Sequence, residues 1–258
     1  MRYMIHACPP RMWYVENLLL PSMLEQGISR DDITVWNDAK GLGNLESFVQ
    51  SMKLCGALTS SVGSADSKLG MSHASRASEC FPRGEADDRG VWHLQDDVIL
   101  SASFAERTKE LAETREEPVI CGFGCNFGDG VIDYKGRTPV KFLWYSFPCV
   151  FISNALAGEF AAWFENVART GELYRDNLQS GKMDDWFFRM FLLDRHKDEH
   201  VFHVTPALAD HVDYLIGGTQ VNPRRLRKYN VAEYWEEPEL VDRLKAKINV
   251  YKRTGRWE

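Results

Sequence analysis

Apolar residues along this chain come in short runs separated by polar turns, and the runs switch between strand-like and helical spacing. Tyr3 to Cys8 reads as a short apolar strand, stopped by Pro9-Pro10, with Arg11 just past its end. From Trp13 to Gln26, Trp13, Leu18, Leu19, Met23 and Leu24 fit helical spacing, with a kink or restart expected at Pro21 and a stop at Gly27. Ile33 to Trp36 predicts a second strand ending in Asn37-Asp38. Gly41-Leu42-Gly43 is a loop, and Asn44 caps a helix carrying Leu45, Phe48, Val49 and Met52. This opening is β-α-β-α, and a right-handed parallel sheet is its economical solution. Val91-Trp92-His93-Leu94 then predicts a buried strand, Asp96-Asp97 an acidic turn, and Val98 to Leu100 a return to apolar residues.

The second half continues the alternation. Ser101 or Ser103 is placed to cap a helix running to about Thr114, and Val119 to Gly122 reads as a strand. Phe142 to Ile152 predicts one or two strands. Ser153 or Asn154 caps a helix with Leu156, Phe160, Trp163, Phe164 and Val167, ended by Gly171. Asp184-Asp185 opens a helix whose stripe is Trp186, Phe187, Met190 and Phe191. Val201 to Val204 is a last strand, and Pro238 starts a final helix with Leu240, Val241, Leu244 and Ile248. The polar stretch Thr59 to Gly90 is expected to contain a mobile loop, with a short helix over Ser72 to Glu79. The expected fold class is therefore α/β: a mixed, mostly parallel central sheet flanked by helices.

Composition narrows the function classes. The chain has 258 residues, 44% hydrophobic and 26% charged, as in ordinary globular proteins. A net charge of −6 gives no global drive toward nucleic acid or membrane. No apolar run approaches the ~20 residues of a membrane span, and the six scattered cysteines suit reduced thiols and a cytoplasmic protein. Cys121 and Cys125 have zinc-like spacing, but no second Cys/His pair matches them. Gly122 to Gly130 is glycine-rich, yet it lacks the setting of a dinucleotide site and the Gly-Lys-Ser/Thr of a P-loop.

The chemistry concentrates at the acidic turn. Ligands of open α/β sheets sit beyond the carboxyl ends of the strands, so Asp96 and Asp97 should border a crevice. Adjacent carboxylates repel, and a bound cation such as Mg²⁺ or Mn²⁺ is one way to keep both ionised. Read alone, such a pair is more often a solvated acidic turn.

Four features in order resemble the GT-A group of nucleotide-sugar glycosyltransferases. They are the β-α-β-α opening, the strand ending Leu94-Gln95-Asp96-Asp97-Val98, the helix start Asp184-Asp185-Trp186, and the segment from Pro206 to His211. The second is similar to that family's DxD-type motif, the third to its acceptor-side acidic motif, and the fourth to its late Pro-x-Leu-x-x-His segment. Gln95 departs from the pattern, because it stands where the first acid usually is and cannot supply charge.

The resemblance implies a single GT-A domain over 1–258, with residues 1–100 binding the nucleotide sugar and 101–258 the acceptor. It implies a metal-dependent hexosyltransferase-type enzyme that uses a UDP-sugar, with Mn²⁺ or Mg²⁺ on Asp97 and His211. Gln95, Asp96 and the Gly217-Gly218 backbone would contact the donor, while Ala7, Arg11, Asp38 and Arg76 are placed to hold base, ribose or phosphate. For an inverting transfer Asp185 is the expected base, with Asp184 second. Trp144 and Tyr145 offer an apolar platform for a sugar or base. The acceptor stays open between a glycan, a small molecule and a modified nucleic-acid base. The basic cluster Arg224, Arg225, Arg227 and Lys228 leaves a DNA acceptor open, and the overall acidity counts against it.

Two alternatives stand beside this one. A sugar-phosphate nucleotidyltransferase would want a glycine-rich, basic loop after the first strand, where this chain has Pro9-Pro10-Arg11-Met12. A noncatalytic nucleotide-sugar or glycan-binding protein could use the same fold.

Overall fold

The structure, a computed structural model, describes residues 1–37, 44–60, 89–123, 136–140, 148–168, 184–212, 216 and 237–256. Strands β1 (Arg2–Ala7), β2 (Ile33–Asn37), β3 (Gly90–Gln95), β5 (Val119–Cys121), β6 (Gly136–Pro139), β7 (Cys149–Ser153) and β8 (His200–His203) form one sheet in the order β2-β1-β3-β7-β5-β8-β6. β2, β1 and β3 are mutually parallel. β7 is antiparallel to both β3 and β5, β8 is parallel to β5, and β6 is antiparallel to β8. Five strands thus share one direction, so the sheet has a single edge where their carboxyl ends meet. A small second sheet pairs β4 (Val98–Leu100) with β9 (Ala209–His211), antiparallel.

Strand residues alternate between two cores, as the two-residue period requires. Tyr3, Ile5, Ala7, Trp92 and Leu94 belong to one core, with Tyr14, Leu19 and Met23 of the first helical stretch. The same core takes Phe104 and Leu111 of α4 (Phe104–Thr114) and Leu244 and Ile248 of the last helix, α7 (Pro238–Thr254). Met4, Val91, Val119 and Val150 face the other core. It is filled by α3 (Asn44–Ser60), α5 (Asn154–Trp163) and α6 (Asp184–Arg195). There Phe48, Phe160, Phe188 and Phe191 form an aromatic cluster, with Phe160 5.2 Å from Phe188 and 5.5 Å from Phe191 between ring centroids. α3 and α5 cross at Gly56 and Gly158. A Cβ on Gly56 would stand 2.8 Å from the Gly158 backbone nitrogen, so only glycine permits this approach.

The first helical stretch restarts beside Pro21 through a turn that the sequence pattern did not single out. α1 (Met12–Tyr14) and α2 (Leu20–Glu25) are joined by a π-helical turn, Val15–Leu19, so the α-helix restarts at Leu20 with Pro21 in its first turn. Leu20 N–H reaches back five residues to Val15 O, and Pro21, which has no N–H, follows in the first turn of α2. The widened turn absorbs the missing donor.

Among the capping expectations, the Ser153 side chain accepts from Leu156 N–H and caps α5. Ser103 precedes α4 without a side-chain capping bond. α3 continues through Ser60, so Thr59 and Ser60 are helical. The remainder of the expected loop (61–88, with Ser72 to Glu79), Cys125, residues 141–147 and Gly171 lie outside the described residues. No helix among the described residues is long and apolar enough to cross a membrane.

Candidate functional site

β3 delivers its last residue, Gln95, to the carboxyl edge beside His6 of β1. The chain then turns through Asp96 and Asp97 into β4. Both acids are buried, at 1% and 4% exposure, so the solvated-turn reading fails. The backbone holds the turn from two sides. Cys8 N–H donates to Asp96 Oδ2 at 2.7 Å, and Val212 N–H donates to the Asp97 carbonyl at 2.8 Å. Tyr14 Oη–H donates to the Val98 carbonyl at 2.8 Å.

The cation beside the two carboxylates belongs to the chain itself. Pro9–Arg11 forms a 3₁₀ turn directly after β1, closed by Arg11 N–H on the Cys8 carbonyl at 3.0 Å. It brings the Arg11 guanidinium against both acids. Nη2 lies 2.8 Å from Asp96 Oδ1, Nη1 pairs with Asp97 Oδ2, and Nε donates to Cys8 Sγ at 3.3 Å. Burial works against the charge on Arg11, but Asp97 and then Asp96 outweigh it and hold the group above its usual range. Burial pushes Asp96 up to about 6, Asp97 adds to this, and Arg11 and the Cys8 N–H oppose it. Burial, then the charge of Asp97, raises the Tyr14 phenol and keeps it a neutral donor.

Beneath this turn lies a layer that sequence reasoning did not single out. His6 Nε2 and His93 Nδ1 are 2.9 Å apart, and Phe48 stands 5.7 Å from the His6 ring. His6 keeps partial exposure, yet its packing lowers it to about 4; burial, then His6, drives His93 well below the ordinary histidine range. Strand alternation was the available signal. His6 and His93 share the face of Met4 and Val91, but only the β1–β3 register reveals that they meet.

The acidic start of α6 reaches the same edge. α6 leads through 196–199 into β8, which runs parallel to β5 and thus with β1 and β3. α6 therefore runs against those strands, with its amino end toward their carboxyl ends. Phe188, in its first turns, lies 6.3 Å from Phe48, which in turn meets His6 and His93. Asp185 Oδ1 accepts from Trp186 N–H at 2.6 Å. Burial raises the Asp185 pKa, against the lowering effect of backbone hydrogen bonds from Trp186 and from its own N–H. Burial is thus the dominant influence on this carboxyl.

Among the expected site residues, Ala7, Arg11, Gln95, Asp96 and Asp97 gather on this one edge, and Asp185 stands at the amino end of α6, which points toward it. His211 ends β9 in register with Val98, next to Asp97 along the chain, and Asp184 opens α6; of these two only the backbone is described. Asp38, Arg76, Gly217 and Gly218 lie outside the described residues, as do Trp144, Tyr145, Arg224, Arg225, Arg227 and Lys228.

The donor set suits a hard divalent cation in its chemistry, and the guanidinium bridging Asp96 and Asp97 is a stand-in cation at that position. It fits on the condition that Arg11 gives way. No group of three or more His, Cys, Asp or Glu is poised for a metal among the described residues. No protein-family model matches the chain, and no curated protein matches it.

Proposed function

We propose that the chain is a GT-A-type glycosyltransferase that moves a sugar from a nucleotide sugar, a UDP-sugar in the first instance, to a hydroxyl acceptor. The observation that carries this reading is the buried acidic turn at the carboxyl end of β3, with the acidic start of α6 on the same sheet edge. A mostly parallel sheet binds ligands beyond that edge. Arg11 and the backbone around Ala7 and Cys8 border it and suit phosphate and ribose.

In this reading the acceptor oxygen attacks the anomeric carbon, the bond from that carbon to the diphosphate oxygen breaks, and the acceptor proton passes to Asp185. The raised pKa of Asp185 suits that role, because a base works best near the operating pH. A bound Mn²⁺ or Mg²⁺, held by Asp97 with His211, would supply charge against the departing diphosphate. Gln95 would contribute hydrogen bonds but no charge.

The test is a mass-spectrometric donor screen. The chain is incubated with UDP-, GDP- and CMP-sugars and Mn²⁺, with glycan, small-molecule and modified-base acceptors. Release of UDP with transfer or hydrolysis of the sugar is expected. Nucleotide binding with no turnover of any donor would instead identify a noncatalytic binding protein. Formation of a nucleotide sugar from sugar phosphate and nucleoside triphosphate would identify a nucleotidyltransferase.

A further inference from the structure

We propose that Arg11 is a resident counter-ion that a divalent cation displaces, and that the displaced guanidinium then binds the donor diphosphate. Metal and nucleotide binding would thus be coupled through one side chain. The proposal rests on the donor reading above and adds to it how the site is loaded.

Three observations carry it. First, Arg11 touches both acids at once, through separate guanidinium nitrogens. A metal using either carboxylate oxygen must contend with that contact. With both acids ionised, the bridge sets one positive charge beside two negative ones, and a divalent cation would set two.

Second, the Asp96 carboxylate and the backbone of the turn are anchored independently of Arg11. Asp96 keeps the Cys8 N–H, and the Asp97 carbonyl keeps the Val212 N–H. Releasing the guanidinium therefore need not collapse the turn. Third, the Arg11 side chain is 14% exposed where those of Asp96 and Asp97 are 1% and 5%, so it is the member of the cluster nearest solvent. It stands on a 3₁₀ turn at the carboxyl edge, where a diphosphate would lie. A planar guanidinium fork pairs with phosphate as well as with carboxylate. Each ligand would then raise the affinity of the other, as linkage requires.

The test reads two affinities that should move in opposite directions. Binding of Mn²⁺ alone is measured by electron paramagnetic resonance, and binding of UDP with Mg²⁺ by calorimetry, for the parent, Arg11→Gln and Arg11→Lys. Arg11→Gln should bind Mn²⁺ alone roughly tenfold or more tightly than the parent, because the competing cation is gone. It should bind UDP with Mg²⁺ roughly tenfold more weakly, having lost a charge-assisted contact. Arg11→Lys, with one point charge and no fork, should fall between for both ligands.

A structural role alone would weaken both affinities together, and that result overturns the proposal. If Arg11→Gln fails to fold, the parent labelled with ¹⁵N-arginine answers the question. The Nε–H signal absent from Arg11→Lys should move on adding Mg²⁺ and move again on adding UDP; a signal unmoved by Mg²⁺ overturns the exchange. A parent that shows the exchange but turns over no donor would lose the transferase reading and keep this one. An active transferase in which Arg11→Gln loses Mn²⁺ affinity would do the reverse.

Discussion

The two edges of the central sheet carry the same kinds of charged residue in opposite physical states. At the amino edge, Thr114 to Pro118, Arg137 and Asp198 to His200 line an open cavity of about 600 Å³. Among its ion pairs, Arg137 with Glu117 is 3.6 Å long, with the arginine side chain 68% exposed and the glutamate 14%. At the carboxyl edge, Arg11 bridges two acids that are almost fully buried. The amino edge keeps Arg115, Glu116, Arg137, Asp198 and Glu199 exposed to solvent, where a charge is cheap to change. Among the described residues of the carboxyl edge, Arg11, Asp96 and Asp97 are largely withdrawn from water and depend on one another. Desolvation distinguishes the candidate site from the decorated surface.

The largest expected effect tests whether the carboxyl edge does chemistry. If the proposed transfer holds, Asp185→Asn should lower the sugar-transfer rate by roughly two orders of magnitude, with UDP affinity little changed. Steady-state rates and UDP calorimetry on the same preparation separate the two. A near-parental rate, or a product that keeps the donor's anomeric configuration, would remove Asp185 as the base.

Asp97→Asn is the next test. It should cut metal-dependent UDP binding by roughly tenfold or more, since a neutral amide is a poor ligand for a hard cation. Calorimetry with and without EDTA is the measurement. Equal binding by both proteins in EDTA would leave the acid pair structural and the two edges functionally alike.

A third prediction concerns pH. His6, His93 and His203 are all pushed down by burial. The unfolded chain therefore takes up protons on these histidines near the usual histidine value of 6.5, before the folded chain does. Their stability contribution is present above about 6.5 and is lost as pH falls toward the lowered folded values, about 4 for His6 and His203. Asp96 works the other way. Raised to about 6, it is protonated in the fold first and gains stability as pH falls toward the ordinary carboxylate range. His93→Gln should therefore flatten the pH dependence of Tm between pH 7 and pH 5 by on the order of a few degrees. Parallel melting curves for parent and variant would contradict the buried neutral pair.

The smallest effect belongs to the amino edge. Arg137→Gln should change stability by no more than about 0.5 kcal/mol, because the pair is long and its arginine lies mostly in solvent, where charge is strongly screened. Urea unfolding measures it. A loss several times larger would show that the contrast between the edges has been drawn too sharply.

Much of this architecture can be read from local pattern. The periods of Tyr3 to Cys8, Ile33 to Trp36, Val91 to Leu94 and Val201 to Val204 place four strands, and each appears in the sheet within a residue or two. The stripes on α3, α5, α6 and α7 follow in the same way, because helical and strand periods depend only on neighbours in the chain. The acidic turn and the acidic helix start are legible too, since each lies within a few residues of a strong apolar run.

Contacts between distant segments had no such signal. The antiparallel insertion of β7 between β3 and β5, the pairing of His6 with His93, and the approach of Gly56 to Gly158 each join positions tens of residues apart. The acid pair shows the division most clearly. Its two charges are written side by side in the sequence, and they suggest a cation. That the cation in this fold is Arg11, 86 residues from Asp97, follows only once β1 and β3 lie in parallel register and the turn after β1 folds over the end of β3. Local spacing determined which elements form and where charge accumulates. Tertiary packing decided which charges lose their water, and with it which of them must find a partner.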